Sequence, residues 1–279
     1  MSRMNVGSLV LLFACTDYDL NQQEKPGPGA DADTGEFVPA EDTSVDTADT
    51  GDSGLVIDED TGEPDPEVAT ESVYINSGST LYGYDPTTNT ATTIGVFKDG
   101  GVTVSDMTDI AIDLSGHMYG IAYTEVYQIN PTTAVVTDLG AIRDNCNALT
   151  FVSDGTLVAA CDSGVITIDT TTLKSNKLGG TAYTSSGDII GLPDGMLYWS
   201  VQGGASDDLV QVNPTNGQST LLGSIGTSGV YALGYANGAL YGFTSANKVI
   251  VIDSTTGRTT STDKLSGTWW GATTNPVLW

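Results

Sequence analysis

Fifteen residues written five times constrain this chain more than anything else in it. "LYGYDPTTNTATTIG" (81–95) returns as "VYQINPTTAVVTDLG" (126–140), "VITIDTTTLKSNKLG" (165–179), "LVQVNPTNGQSTLLG" (209–223) and "VIVIDSTTGRTTSTD" (249–263). Each copy reads as a hairpin. A strand ends in Asn or Asp, a turn rich in Pro and Thr follows, and a Thr-rich strand returns. Pro presets φ for the turn, the Asx side chain bonds the backbone ahead, and Asn89, Gly217 and Gly257 can supply a positive φ. A second hairpin precedes most copies: "DIAIDLSGHMYGI" (109–121), "ALTFVSDGTLVAA" (148–160), "DIIGLPDGMLYWS" (188–200) and "YALGYANGALYGF" (231–243). Its turn is Ser-Gly, Asp-Gly or Asn-Gly, the strongest short-range hairpin signal.

Each unit therefore holds four strands, A to D. The turn glycines Gly116, Gly155, Gly195 and Gly238 are 39, 40 and 43 residues apart. Four strands in about 40 residues is the signature of a β-propeller blade, and the alternation with Gly/Pro punctuation excludes a helical solenoid. The ends are complementary. Counting back from Asp85, the first unit has its strand B at Tyr74 but no strand A. Counting forward from Asp253, an unclaimed strand A falls at Gly271, inside "TWWGATTNPVLW". The expected fold is all-β, a five-bladed β-propeller closed by the C-terminal strand pairing with the N-terminal blade. Its blades are 73–97 with 268–279, then about 105–142, 143–181, 183–225 and 228–266.

The pattern D-x-x-G-x-L/M-Y-G … V-x-x-I-N/D-P-x-T-G/N resembles bacterial secreted propeller repeats, in the style of the YVTN-type and quinoprotein-like families. It covers about three quarters of the chain. It departs from WD-repeat propellers, since no Trp-Asp ends the third strand and no Gly-His opens a blade. The resemblance implies a fold and says little about function.

The N-terminus supplies an address. Arg3 precedes an apolar run from Val6 to Ala14, too short for a membrane-spanning helix and the right size for a secretion signal. "LFAC" (12–15) resembles a bacterial lipobox, which implies cleavage after residue 14 and a lipidated Cys15. That places the protein in the bacterial cell envelope, exported and lipid-anchored at the outer membrane or cell surface. Residues 15–71 follow as an acidic tether. The chain has 35 acidic and 9 basic residues, and 18 of the acidic ones fall in 16–72. So polar a segment cannot bury enough apolar surface to offset its ordering entropy, and it is expected to be disordered, spanning about 40 Å as a coil. An EF-hand-like reading from Asp49 fails because Gly51 stands where the loop needs a ligand. The propeller domain is expected over 72–279.

The charge balance excludes nucleic-acid binding, which needs clustered Lys and Arg. Cys146 and Cys161 are placed symmetrically about the Ser153-Asp154 turn, so a regular hairpin sets them opposite each other, and an exported protein should join them as a disulfide. His117, the sole histidine, follows a turn glycine and is read as a surface residue. Neither a metal site nor a cofactor is expected. Ligands of propellers gather where the innermost strands begin. The candidates there are Asp106, Asp109, Asn145, Asn147, Asp188, Tyr231, Trp269 and Trp270, a mixture of carboxylates, amides and aromatics suited to a sugar or a protein surface. The two tryptophans could equally pack the seam between the last and first blades.

Three functions compete. The first is a monomeric, non-catalytic lipoprotein binding a glycan or protein partner. The second is a glycoside hydrolase using Asp109 and Asp188, since hydrolysis needs a carboxyl pair flanking the bond. It lacks a further inner-strand acid, because Glu125 is the only glutamate after residue 71. The third is a metal-dependent lyase or lactonase, for which no axial His or Glu exists.

Overall fold

The computed structural model describes residues 67–178 and 182–279. The expected signal peptide (1–14), Cys15 and the expected tether as far as residue 66 lie outside the described residues. The strands are β1 (Val73–Asn76), β2 (Thr80–Asp85), β3 (Thr90–Val96), β4 (Lys98–Asp99), β5 (Val102–Thr103), β6 (Asp109–Ile112), β7 (Met118–Ile129), β8 (Val136–Phe151), β9 (Leu157–Cys161), β10 (Gly164–Ile168), β11 (Ser175–Lys177), β12 (Ser185–Gly191), β13 (Leu197–Val201), β14 (Asp208–Val212), β15 (Ser219–Ser224), β16 (Val230–Ala236), β17 (Ala239–Thr244), β18 (Lys248–Ile252), β19 (Thr259–Lys264) and β20 (Gly271–Thr274). One 3-10 turn, Pro276–Leu278, ends the chain.

The molecule is all-β, and its large sheets are arranged as the blades of a β-propeller. Three of them have four strands, in the orders β20-β1-β2-β3, β12-β13-β14-β15 and β16-β17-β18-β19. The fourth runs β11-β10-β9-β8-β7-β6. Within it the two long strands change partner halfway. The first part of β7 pairs with β6, Ile121 facing Asp109, and its second part pairs with the start of β8, Ile129 facing Val136. The end of β8 turns to β9, with Cys146 opposite Cys161 and Phe151 opposite Leu157. Those two cysteines form a disulfide. β20 pairs antiparallel with β1 through Thr274–Val73 and Gly271–Asn76.

The turns follow the sequence pattern. Gly116, Gly155 and Gly195 take positive φ at the end of a turn closed by a bond to the carbonyl three residues back, and Asn237-Gly238 takes positive φ at both residues, as a two-residue hairpin of that composition requires. In the other hairpin Asp85, Asn130, Asp169, Asn213 and Asp253 each accept the backbone N–H two residues on. Asn89, Gly217 and Gly257 do take positive φ; in the two remaining copies Ala134 and Leu173 take it without glycine's help.

Among the described residues the core is divided into five apolar clusters, each drawn from two neighbouring sheets or half-sheets. Tyr74 and Leu81 meet Met107, Ile110 and Met118; Ile121 and Val126 meet Leu149 and Ala159; Val158 and Val165 meet Ile189 and Trp199; Ile190 and Leu209 meet Leu233 and Leu240; Ala232 and Phe243 meet Val73, Tyr84 and Trp269. Residues 67–71, expected within the tether, lie against the sheets. Ala69 is buried, its N–H donating to the Gly116 carbonyl and its carbonyl accepting from Asn275 Nδ2.

Candidate functional site

Propeller sheets leave the inner edge of each innermost strand without a partner, so backbone N–H groups there need acceptors. The innermost strands are β6, the second half of β8, β12, β16 and β20, and each lies beside the next, β20 returning to β6. Two aspartates on these strands serve the set. Asp109 Oδ1 accepts the N–H of Ile110 at 2.8 Å, and its Oδ2 accepts that of Leu149 on β8 at 2.6 Å. Asp188 Oδ2 accepts the N–H of Leu233 on β16 at 2.6 Å and that of Ala272 on β20 at 3.2 Å. All five inner strands are thereby tied to two carboxyls. The residues preceding the three distant donors are small: Ala148, Ala232 and Gly271. A Cβ on Gly271 would collide with the Asp109 carboxyl and the Asn76 amide oxygen, so the axis has room for these two acids and little else.

Both aspartates are fully buried and adjacent to one another. Burial, then the charge of Asp188 and a hydrogen bond to it, push the Asp109 carboxyl well above the ordinary range. Burial raises Asp188 to about 7, opposed by the hydrogen bond from Asp109 and by the N–H groups of Leu233 and Ala272. Two neighbouring buried carboxylates with no countercharge resist ionising together, so at neutral pH Asp109 keeps its proton and Asp188 is partly protonated. Asp188 Oδ1 is buried without a hydrogen-bond partner among the described residues.

One residue further along the same strands the chemistry changes. A cavity of about 350 Å³ opens at the end of the axis, lined by Thr108, Tyr123, Asn147, Ser186, Gly187, Tyr231 and Trp270. Thr108 precedes Asp109 and Gly187 precedes Asp188, yet neither aspartate lines the cavity. Most of the lining comes from β-bulges. The ladder shifts register between Tyr123 and Glu125, between Cys146 and Ala148, between Ser185 and Ile189, and between Val230 and Ala232. Each slip re-aims a side chain that regular alternation would have sent elsewhere. Tyr123 and Tyr231 are consequently 41% and 40% exposed. Tyr123 also sits at φ +57°, a left-handed conformation that a bulky residue adopts only where its surroundings impose it. Gly187 is obligatory here, because a Cβ would strike the Val230 carbonyl and the Tyr231 backbone.

The residues expected at this end separate into three groups. Asn147, Tyr231 and Trp270 line the cavity. Asp109 and Asp188 lie beneath it as the buried hub rather than on the rim, because Thr108 and the Ser186-Gly187 bulge stand between them and the opening. Asp106 is exposed and off the lining, and Asn145 turns sideways to donate to Asp162 Oδ2 at 2.8 Å. The tryptophans divide. Trp269 is 3% exposed, stacks edge-to-face on Tyr82 at 5.3 Å and donates to the Leu265 carbonyl, whereas Trp270 lies over Gly78 and reaches the cavity. Tyr123 was not foreseen. The one signal is a break in alternation between "MYGIAY" and "EVYQI". His117, half-buried, is engaged by Asp113 at 3.3 Å. Among the described residues no three His, Cys, Asp or Glu side chains converge as a metal site would require.

Fold and site together define a β-propeller with an open, aromatic-lined axial mouth. No family model matches the chain, and neither does any curated protein. Solved structures do match. A chain of a nidogen/laminin complex aligns with TM-score 0.52 at 12% identity, over 74% of this chain and 98% of that one. Hydrazine synthase of Kuenenia stuttgartiensis aligns with TM-score 0.45 at 16% identity, over 57% of this chain, which spans 49% of that one. A protein of unknown function from Bacteroides caccae aligns with TM-score 0.43 at 11% identity, over 69% and 72%. Likeness at such identity concerns the fold alone.

Proposed function

We propose that this chain is a non-catalytic, exported and lipid-anchored recognition module: a five-bladed propeller, closed by its C-terminal strand, that binds a glycan or protein partner at the axial mouth. The observation that carries the binding reading is the set of four bulges that turn Tyr123, Asn147, Ser186 and Tyr231 towards one cavity. Five blades are supported by the five apolar clusters and by the exchange of partners along β7 and β8, which divides the six-stranded sheet into two blades. Closure is supported by the β20–β1 pairing and by β20 lying beside both β6 and β16. The anchor rests on the lipobox-like "LFAC" with Cys15.

The hydrolase alternative is disfavoured by position. Asp109 and Asp188 touch each other and are sealed from the mouth, whereas glycosidic carboxyls flank the sugar about 5 Å or more apart. The decisive experiment is a glycan array and an envelope-fraction pull-down, run with the native chain and with Tyr231→Ala. Binding lost in the variant, without turnover of chromogenic glycosides, supports recognition; turnover abolished by Asp188→Asn overturns it. Cys15→Ser should release the protein from membranes, and retention would remove the lipid anchor.

A further inference from the structure

A second cavity, also about 350 Å³, adjoins the mouth and shares two of its residues, Tyr123 and Asn147. It extends outward between β8/β9 and β12/β13, past Asn145, Asp162, Thr184, Ser185 and Gln202. The two lobes differ in chemistry. The axial lobe presents Tyr123, Tyr231 and Trp270; the lateral lobe has Tyr183 on its wall and otherwise presents mainly amides and hydroxyls. Neither lining includes Lys, Arg or His, and the one carboxylate, Asp162, is held by Asn145 Nδ2. Nothing there would compensate an anionic ligand.

Tyr123 stands at the junction, and its strained backbone is held from behind. It pairs with Cys146, which the disulfide locks to Cys161, and both cysteines form part of the lateral wall. A rigid aromatic fixed between two lobes is preorganised and loses little freedom when a ligand stacks on it.

We propose that this end of the molecule binds an elongated neutral oligosaccharide across two subsites, one sugar ring stacked in the axial lobe, the next bonded by its hydroxyls in the lateral lobe, with Tyr123 as their shared platform. Sugars with equatorial hydroxyls have flat apolar faces for the aromatics and a polar rim for the amides. The proposal rests on the recognition reading above and adds ligand class and length to it.

The test is calorimetric titration of the full chain with glucose and its β-1,4-linked di-, tri- and tetrasaccharides, and in parallel with the N-acetylated series. In at least one series affinity should rise by about tenfold or more from one ring to three and then level off. Gln202→Ala, on the lateral lobe alone, should reduce the trisaccharide to the affinity of the single sugar and leave the single sugar unchanged. Tyr231→Ala should weaken every length. Thermal melts identify any variant that has simply lost its fold. Equal affinity at all lengths with Gln202→Ala silent overturns the two-subsite proposal while recognition at the mouth stands. Heat from no sugar overturns the ligand class, and binding of envelope-derived peptides instead would assign the mouth to a protein partner.

Discussion

The hub and the mouth lie one residue apart on the same strands, yet they do opposite work. At the hub Asp109 sits in a regular ladder and Asp188 at the inner end of the β12 slip, and both are drawn inward to satisfy backbone N–H groups. At the mouth the ladders slip, and Tyr123, Asn147, Ser186 and Tyr231 are turned out. Register, more than residue type, decides which polar groups are structural and which are available. A carboxylate that looks catalytic in the sequence becomes an internal fastener, and a tyrosine in the middle of a strand pattern is turned out to line the mouth.

The sharpest test of that contrast uses two adjacent tryptophans. Trp269→Ala should destabilise the fold by about 3–5 kcal/mol, as expected for a buried aromatic, and Trp270→Ala by less than about 1 kcal/mol, in urea unfolding. Equal costs would break the division between wall and mouth. Asp188→Ala orphans two inner-strand N–H groups and should cost about 3–4 kcal/mol, while Asp188→Asn, which keeps an acceptor oxygen, should cost clearly less in the same assay. Removing both Cys146 and Cys161 as serines frees a loop of sequence separation 15, worth about 3 kcal/mol in the chain-entropy account. Ligand affinity should fall with it if the bridge also holds Tyr123.

The buried acid pair gives a pH signature. With folded pKa values raised above the carboxylate's ordinary 3.8, and Asp188 at about 7, the native state binds more protons than the unfolded chain between those limits. The hub's contribution is therefore full below pH 4, declines as pH rises through 7 while Asp188 titrates, and goes on declining above 7 for as long as Asp109 keeps its proton, at a slope of at most about 1.4 kcal/mol per pH unit per proton. Asp85, Asp169 and Asp253, lowered by their turn N–H and hydroxyl donors, act the other way and lose their contribution as pH falls below 3.8. Melting temperatures from pH 4.5 to 8 should fall with pH in the native chain, and the slope should flatten in Asp188→Asn. The smallest effect expected is at Ala134. There Gly would relieve a φ of +60° but forfeit a buried methyl and add unfolded-state entropy, so Ala134→Gly should lie within about 0.5 kcal/mol of the native chain.

The repeats made the architecture readable because turn chemistry is local. Asn237-Gly238 and the Asx residues before each Thr-rich strand announce their own geometry, and the symmetric placing of Cys146 and Cys161 about a turn announced their pairing. The mouth was readable only in part. Asn147, Tyr231 and Trp270 follow from the expectation that ligands meet the starts of inner strands. Tyr123 does not, because its bulge carries no glycine to announce the positive φ it takes opposite Cys146. The burial of Asp109 and Asp188 was equally hidden, since a slip of one residue decides whether strand-A acids face solvent or axis, and no local preference records it.

The two-aspartate hub also bears on how closely such a ring can approach perfect repetition. Copying a unit with Asp at the axis into every position would crowd a single hole with like charges, each excluding the next. Copying a unit with Ala or Gly there would leave every inner edge without an acceptor. Large acid and small neighbour take turns, as Asp109 and Asp188 do with Ala148 and Ala232. Gly271 is the second small neighbour in succession after Ala232, and the Asp109 carboxyl fills the space its side chain would need.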